Sequence, residues 1–257
     1  MRTVGYQNWS DLAFVHWRVP VDVLRRVVPE PLSLDTWEDE TWLGLVAFRM
    51  SGIRPWWSPA LPYLSAFPET NLRTYVHLRG QQPGVWFFSL DASRWLAVQA
   101  ARWGWGLNYQ WSRMQVKKRS TAAMNSNGSP SIALLTGIAE PTEIEIAYRS
   151  HRWSGAPASV DMQVQVSPRS TPRIAKPGSL EFFLCERYVL YSLSRNGRLL
   201  TARVQHTPYP LLDARVKNCR QTLTETIGCR VGPADHVVFS PGVRVQITPL
   251  QRSAESD

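Results

Sequence analysis

Hydrophobic and polar residues alternate along much of this chain, with the two-residue period that is typical of β-strands. In segment 143–149, isoleucine and tyrosine alternate with glutamate and arginine, and segments 161–166 and 243–247 follow the same rule. This pattern predicts antiparallel strands that have one face in the core and one face in water. Segments 42–50 and 84–90 are apolar on both faces, which indicates strands that are covered on both sides.

Fewer segments have the spacing of a helix. Pro20 precedes a short apolar helix, and Asp91 is a favourable N-cap for a second helix whose apolar stripe would face the core. Ser179 is placed to cap a third helix over 180–187, and a fourth short helix is predicted over 211–219. The dipeptide at 196–197, Asn-Gly, predicts a tight hairpin.

The order of these elements favours a β-rich α+β fold. The chain has no internal repeat, no linker-like change of composition and no regular alternation of strand and helix that would indicate a parallel sheet. A closed antiparallel β-barrel or sandwich flanked by a few helices is the expected architecture. We predict one domain over residues 1–250 and a flexible C-terminal tail over 251–257.

One predicted strand, 69–78, concentrates chemically useful side chains on one face. Its odd positions are Glu69, Asn71, Arg73, Tyr75 and His77, whereas its even positions are threonine, leucine and valine. Such a row of polar groups is typical of the wet face of a half-buried strand, and it is equally suited to the lining of a cavity. The pattern leaves both interpretations open.

Composition narrows the classes of function. The 257 residues are 44% hydrophobic and 19% charged, which is typical of a globular protein. The net charge is +9, but the basic residues are scattered except at 117–119, and no nucleic-acid-binding motif accompanies them, so nucleic-acid binding is disfavoured. No apolar run approaches the roughly 20 residues that cross a bilayer, and no secretory signal is visible. The three cysteines show no disulfide framework, so we expect a cytoplasmic protein without a membrane segment.

The motifs of common cofactor and metal sites are absent from the sequence. There is no phosphate-binding glycine loop, dinucleotide fingerprint, nucleophile elbow or paired-histidine zinc helix. The five histidines are far apart, and the cysteines lack ligand spacing. We therefore expect no cofactor and no metal.

Two further groups of residues could carry chemistry. Glu186 and Arg187 lie where a predicted helix meets a strand, either as a structural ion pair or as part of a site. His206 and His16 each end the inward face of a predicted strand. A histidine in that position is either a hydrogen-bonded core residue or a general base at the mouth of a barrel.

Several motifs in this order resemble one known family. They are His16-Trp17, Phe67-x-Glu69-x-Asn71-x-Arg73-x-Tyr75-Val76, Gly84-Val85-x-Phe87-Phe88-Ser89-Leu90-Asp91, Phe183-Leu184-x-Glu186-Arg187-Tyr188-x-Leu190-Tyr191, His206-x-Pro208-x-Pro210 and Phe239-Ser240-Pro241-Gly242-Val243. Together they are similar to the YqjF-like proteins, a bacterial family of undetermined function. The resemblance implies the fold of the acetoacetate decarboxylase-like superfamily, which is a closed antiparallel β-structure with a central cavity.

The resemblance does not extend to the residues that carry out the decarboxylase reaction. Acetoacetate decarboxylase forms a Schiff base on the first lysine of a Gly-aromatic-Pro-Lys-Lys segment. The corresponding place in this sequence looks like 106–110, which has neither lysine nor proline, and Lys117 and Lys118 come too late. Glu69 is the best counterpart of a strand carboxylate of the decarboxylase. We therefore predict that the cavity is retained and that the amine chemistry is lost.

The resulting hypothesis is a cytoplasmic protein that takes a small carboxylate- or carbonyl-bearing molecule into its cavity, with or without lyase- or isomerase-type proton transfer. If it is an enzyme, Glu69 or His206 transfers the proton, and Arg73 or Arg187 binds an anionic oxygen. An arginine on the same face would keep Glu69 ionised. Non-catalytic binding or sensing is the alternative, and a homo-oligomer is left open. The residues predicted to line or border the site are Glu69, Asn71, Arg73, Tyr75, His16, Tyr109, Glu186, Arg187 and His206.

Overall fold

The computed structural model describes residues 3–60, 65–99, 107–122, 142–194 and 196–252. Within these residues the chain is dominated by strands. The strands are β1 (Gly5–Val19), β2 (Leu32–Leu34), β3 (Thr41–Pro55), β4 (Phe67–Leu78), β5 (Gln81–Ala92), β6 (Tyr109–Ala122), β7 (Thr142–Arg152), β8 (Ser159–Val166), β9 (Val189–Leu193), β10 (Leu199–Gln205), β11 (Leu212–Gln221), β12 (His236–Ile247) and β13 (Gln251–Arg252). The helices are α1 (Val21–Arg25) and α2 (Leu180–Cys185), with a 3-10 turn at Thr224–Ile227 and a helical turn at 95–99.

All thirteen strands belong to one sheet, and that sheet closes on itself in two ways. The first ring runs β12-β1-β3-β4-β5-β9-β10 and returns to β12. The second ring leaves β5 for β6-β7-β8-β11 and also returns to β12. The strands β12, β1, β3, β4 and β5 are therefore common to both rings, and the predicted β-rich fold is confirmed.

The shared strands bury both of their faces, because each face looks into a different core. On β1, Ala13 and Val15 pack in one core, whereas Leu12 and Phe14 pack in the other. The same holds for β4, along which ten of twelve residues are buried. The wet-face interpretation of the β4 polar row is therefore wrong for Glu69, Asn71, Arg73 and Tyr75. Only His77 of that row is half-buried, where its Nδ1 accepts a hydrogen bond from the Gly80 N–H at 2.8 Å.

A β-bulge in β1 changes which side chains share a face. The pairing of β1 with β3 shifts register between Ser10 and Ala13, and Asp11 in the bulge has a φ of 51°. Trp9, at an odd position, therefore packs in the same core as the even residues Leu12 and Phe14. Strict alternation through the sequence could not predict this change of face.

Several predicted elements are confirmed. The helix after Pro20 is α1, and the helix capped by Ser179 is α2, although it ends at Cys185 instead of residue 187. The Ser179 Oγ accepts a hydrogen bond from the Phe182 N–H at 3.2 Å, as expected for an N-cap. The Asn-Gly hairpin joins β9 and β10, with Gly197 at a φ of 76°.

Two predicted helices are corrected. In place of the helix predicted over 211–219, residues 212–219 belong to strand β11, and their alternating exposure has the two-residue period of a strand. Asp91 is not an N-cap but the penultimate residue of β5, where its carboxylate binds Arg152. The helical turn at 95–99 begins later, and Trp95 and Leu96 are 52% and 54% exposed, so they do not form a core-facing stripe. The continuation of that stripe over 100–103 lies outside the described residues.

A short strand lies at the start of the segment that was predicted to be a tail. Gln251 and Arg252 form β13, which pairs with Thr201 and Leu200 of β10, and residues 253–257 lie outside the described residues. Among the helices of the described residues, none combines the length and the apolar character that a membrane crossing needs.

Candidate functional site

The first ring encloses a cavity of about 480 Å³. Every strand of that ring contributes side chains to its wall. The apolar part of the wall includes Trp9, Met50, Phe87, Leu190, Val204 and Ile247. The polar side chains of the wall include the buried Glu69 and Asn71 and the half-buried Gln7, Arg54 and Tyr109. We call the part of the wall at Glu69 and Asn71 the floor of the cavity, and the part at Gln7 and Arg54 its mouth.

Glu69 provides the only carboxylate among the described residues that line this cavity. It lies on β4 and is 2% exposed. Burial raises its pKa from the ordinary value of 4.5 to about 7, although hydrogen bonds from Tyr109 and Asn71 oppose the shift and the negative charge of Asp91 adds to it. The expectation that an arginine on the same face keeps Glu69 ionised is therefore wrong.

Tyr109 reaches Glu69 from another part of the chain. It begins β6, whose parallel pairing with β5 sets Tyr109 opposite Leu90. Its hydroxyl donates a hydrogen bond to Glu69 Oε2 at 3.0 Å. Burial and the negative charge of Glu69 raise the pKa of the Tyr109 phenol well above its ordinary value. Tyr109 is thus a protonated donor to the carboxyl group.

Asn71 lies two residues after Glu69 and lines the same cavity. Its amide group makes a hydrogen bond that lowers the pKa of Glu69, so the amide N–H donates to the carboxylate. The Asn71 Oδ1 is buried and has no hydrogen-bond partner. An unmatched buried acceptor of this kind is costly, by about 1–3 kcal/mol.

The mouth of the cavity contains Arg54, which lies beyond the apolar segment 42–50 that predicted strand β3. Strand β3 continues to Pro55, beyond a register shift at Gly52, whose φ is 62°. The Arg54 guanidinium carbon lies 4.5 Å from the centre of the Tyr6 ring. Within the described residues, no carboxylate lies within 4.0 Å of the Arg54 guanidinium.

Arg73 and Tyr75 follow Asn71 on the same face of β4, but they are not in the cavity wall. The Arg73 Nη2 and the Tyr75 hydroxyl both donate to the Leu184 carbonyl oxygen, each at 2.9 Å. That carbonyl belongs to the last turn of α2, so this helix packs against the Arg73–Tyr75 end of β4. The predicted row is thus divided between the cavity, which Glu69 and Asn71 line, and the end covered by α2, which we call the closed end.

Arg187 and Glu186 are held by structural partners at the closed end. Arg187 pairs with Asp35 at 2.6 Å and donates to the Phe183 carbonyl oxygen at 2.6 Å. Glu186 accepts hydrogen bonds from the Tyr209 N–H, at 2.9 Å, and from the Tyr188 hydroxyl. The predicted ion pair between Glu186 and Arg187 is therefore not formed, because each of the two binds elsewhere.

Of the two predicted histidines, His16 is buried and His206 is half-buried. His16 lies with its Nδ1 at 3.0 Å from the Nδ1 of His236, and burial, then His236 and Arg73, lower its pKa well below the ordinary value. The His206 Nδ1 lies 2.7 Å from the Thr207 carbonyl oxygen, and its ring packs against Trp9, Tyr188 and Tyr209. Burial lowers the pKa of His206. Neither histidine is part of the cavity wall.

The structure also shows a buried ion pair that sequence analysis missed. Arg152 on β7 donates to both carboxylate oxygens of Asp91, at 3.0 Å and 2.7 Å, and also to Ser89 Oγ at 3.0 Å. The Ser112 hydroxyl donates to Asp91 Oδ2 at 2.9 Å. A lone arginine in an alternating strand carries no signal for a partner 61 residues away, so only the strand pairing reveals it.

The lysines of β6 lie away from the cavity. Lys117 is exposed, and the Lys118 ammonium binds the Asp11 carboxylate at 2.8 Å. No lysine occurs among the described residues that line the cavity. The described residues also contain no cluster of three or more histidine, cysteine, aspartate or glutamate side chains that could hold a metal ion.

Comparison with known proteins relates this chain to one family and one fold. A model of the DUF2071 family, described as an uncharacterized conserved protein, matches residues 6–244. The protein YqjF of Bacillus subtilis, also described as uncharacterized, is 34% identical over 247 residues, which are 96% of this chain and 91% of YqjF.

Three solved structures with a similar fold are described as enzymes. The enduracididine biosynthesis enzyme MppR, complexed with pyruvate, has a TM-score of 0.59 at 15% identity, covering 98% of this chain and 91% of MppR. An acetoacetate decarboxylase-like enzyme from Sphingomonas wittichii has a TM-score of 0.59 at 12% identity, covering 98% and 94%. An acetoacetate decarboxylase from Legionella pneumophila has a TM-score of 0.59 at 11% identity, covering 99% and 90%.

Proposed function

Because this chain belongs to the DUF2071 family and shares its fold with acetoacetate decarboxylase-like enzymes, we propose that it is a small-molecule lyase or isomerase. Its ligand carries a carbonyl or carboxylate group and binds in the cavity of the first ring. Glu69 takes up and returns a proton of this ligand. The observation that carries the proposal is the pKa of Glu69, raised to about 7 at the floor of an apolar cavity.

A carboxyl group with a pKa near the working pH is suited to act both as a base and as an acid. In its ionised form, Glu69 removes a proton from the carbon next to a ligand carbonyl. The C–H bond breaks, the proton binds a Glu69 oxygen, and the electron pair moves to the carbonyl oxygen, which gives an enolate. The enolate then recovers a proton from Glu69, at the same carbon or at another one. The Tyr109 hydroxyl donates to Glu69 Oε2 at 3.0 Å, so it stabilises the ionised form of Glu69 that acts as the base.

The absence of a lysine from the described cavity wall argues against Schiff-base chemistry for this protein. Of the two β6 lysines, Lys118 is bound to Asp11 and Lys117 is exposed. Borohydride reduction in the presence of pyruvate should therefore leave Lys117 and Lys118 unmodified, as measured by mass spectrometry of the peptides. A pyruvate adduct on either lysine would contradict this part of the proposal.

Proton exchange is the direct test. The protein is incubated in D₂O with pyruvate, 2-oxobutyrate and acetoacetate in turn, and NMR follows the entry of deuterium next to the carbonyl carbon. Pyruvate is included because a protein of similar fold is described in complex with it. We expect exchange above the background rate with the wild-type protein and background exchange with Glu69→Gln, which keeps the shape of the side chain and removes its basicity.

The matched control is Asp213→Asn, which makes the same change to a carboxylate on β11 that pairs with Arg173 outside the cavity. It should exchange like the wild type. Equal exchange by the wild type and Glu69→Gln would overturn the proposed role of Glu69.

Non-catalytic binding is the second candidate function. It is favoured by the fact that, of the described residues in the cavity wall, Glu69 is the single carboxylate and none is a histidine, lysine or cysteine. A binding protein needs no second acid or base. If a ligand binds the wild type with measurable affinity and neither exchanges nor changes, this function replaces the first.

The cytoplasm is the compartment that we propose. All three cysteines are free thiols, and two of them are buried, which is compatible with a reducing environment.

A further inference from the structure

We propose that the ligand of this cavity is an amphipathic acid whose anionic group binds Arg54 at the mouth and whose hydroxyl group donates to Asn71 at the floor. The inference rests on the function proposed above, because it concerns the same cavity. It specifies the ligand more narrowly, through two polar side chains at opposite levels of an apolar chamber.

Arg54 is prepared for an anion. Its guanidinium lies over the Tyr6 ring at 4.5 Å, which fixes its orientation and leaves its N–H donors available. Within the described residues it has no carboxylate partner within 4.0 Å, unlike Arg152, Arg173 and Arg187, which all pair with acids. A guanidinium fork matches the two oxygens of a carboxylate, so a carboxylate is the anion that this position fits.

The Asn71 side chain has an acceptor oxygen that a hydrogen-bond donor of the ligand can satisfy. Its amide N–H is used by Glu69, and its Oδ1 is left buried without a partner. A ligand hydroxyl that donates to this oxygen would remove the cost of the unmatched acceptor. A ligand that offers only an acceptor, such as an ether, would leave the cost in place.

The wall between these two levels selects against further polar groups. Phe87, Leu190 and Val204 face the cavity from three different strands, and Trp9 and Met50 face it from two more. Burying apolar ligand surface against this wall is favourable by about 25 cal/mol per Å². The ligand class that fits is therefore an apolar chain or ring with a carboxylate at the Arg54 end and, at the Glu69 end, a hydroxyl group beside the carbonyl on which Glu69 acts; the hydroxyalkanoates of the test keep the two polar ends and omit that carbonyl.

The test uses ω-hydroxyalkanoates of increasing chain length, compared with alkanoates that lack the hydroxyl and with diols that lack the carboxylate. Isothermal titration calorimetry gives the Kd of each. At the best-fitting length, the hydroxyalkanoate should bind about tenfold more tightly than the matched alkanoate or diol, as expected for one added hydrogen bond in a buried site.

Two variants assign the two ends. Arg54→Gln should weaken the hydroxyalkanoate and the alkanoate by about tenfold or more and leave the diol unchanged. Asn71→Leu should abolish the preference for the hydroxyl. Arg113→Gln, at an exposed arginine on β6 outside this cavity, is the control and should match the wild type. Arg54 is half-buried at the surface. The affinities measured with Arg54→Gln therefore decide the test even if Asn71→Leu does not fold.

Some outcomes overturn the inference and leave the proposed function intact. A carboxylate preference that persists in Arg54→Gln would remove Arg54 as the anion site. Equal binding of hydroxyalkanoates and alkanoates at every length would remove the role of Asn71. If none of these compounds binds but Glu69-dependent exchange of an oxo acid is seen, the ligand class is wrong and the catalytic proposal stands.

Discussion

Glu69 and Asp91 are two buried carboxylates on neighbouring strands, and the protein treats them in opposite ways. Both are at most 2% exposed, and the pairing of β4 with β5 sets Asp91 opposite Thr70, the residue next to Glu69. Asp91 receives two hydrogen bonds from the Arg152 guanidinium and one from Ser112. Glu69 receives hydrogen bonds from the neutral side chains of Tyr109 and Asn71.

This difference separates a structural carboxylate from a candidate functional one. A buried carboxylate is expensive when charged, and a bidentate arginine is the strongest compensation that a protein can offer. Neutral donors compensate only in part, so the pKa of Glu69 remains raised, at about 7. Arg152 therefore stabilises the junction of β5, β6 and β7, whereas the lack of such a partner leaves Glu69 able to gain and lose a proton near neutral pH.

Removing the arginine from the structural site should have the largest effect on stability. Arg152→Met leaves Asp91 buried without its cation, and such a change typically costs about 3–5 kcal/mol. The expected result is a large drop in the urea midpoint at unchanged slope. Arg149→Met, which removes an exposed ion pair with Asp161, should cost less than about 1 kcal/mol. Equal losses in the two variants would show that Asp91 does not depend on Arg152.

The next effect concerns the pH dependence of stability at the candidate functional site. Because the pKa of Glu69 rises from 4.5 to about 7 on folding, the folded protein holds this proton more tightly than the unfolded chain. The stability that this tighter proton binding gives the folded protein is fully present below pH 4.5, and it is lost as the pH rises towards 7. The loss amounts to about 3 kcal/mol, from 1.36 kcal/mol per pKa unit.

Urea unfolding between pH 4.5 and pH 8 measures this loss as a difference between the wild type and Glu69→Gln. The buried histidines titrate in the same range, but they are common to both proteins and cancel in the difference. A difference that does not change with pH would mean that Glu69 titrates normally in the folded state.

The smallest loss of stability is expected when one hydroxyl donor is removed from each carboxylate. Tyr109→Phe removes the donor to Glu69, and Ser112→Ala removes one of the donors to Asp91, each at a cost of about 1 kcal/mol. Tyr109→Phe should also raise the pKa of Glu69 further, because the lost hydrogen bond favoured the ionised form. The pH range in which stability falls should then extend upwards in Tyr109→Phe and stay unchanged in Ser112→Ala. A downward shift in Tyr109→Phe would reverse the role assigned to the hydroxyl.

Local patterns in the sequence were sufficient for much of the fold. Alternation predicted the strands around Ile146, Val164 and Val245, and local chemistry predicted α2 and the hairpin at Gly197. The same alternation is present in β11, where Ala214 and Val216 alternate with Arg215 and Lys217. The sequence therefore contained the two-residue period of a strand, and the prediction of a helix there did not use it. The position of Asp91 before a helical turn resembled a cap, and nothing nearby in sequence indicated the distant Arg152.

Local pattern was less informative about the site. It identified the odd face of β4 as a unit. In the structure, Glu69 and Asn71 line the cavity, whereas Arg73 and Tyr75 donate hydrogen bonds to the Leu184 carbonyl oxygen. The division depends on where α2 packs, which is about 110 residues away in sequence for both contacts. Arg54 was missed because β3 extends to Pro55, beyond the apolar segment 42–50 from which the strand was predicted.

The sequence by itself determined that this chain forms alternating strands, a short capped helix and a tight hairpin, and that β4 carries a row of polar side chains. These features depend on the backbone geometry of neighbouring residues, so local order is enough to specify them. Only the tertiary structure decided that both faces of β4 are buried, that Tyr109 meets Glu69, and that Arg152 neutralises Asp91 and not Glu69. The physical reason is that burial and charge pairing depend on which strands close the two rings, and those pairings join residues far apart in sequence.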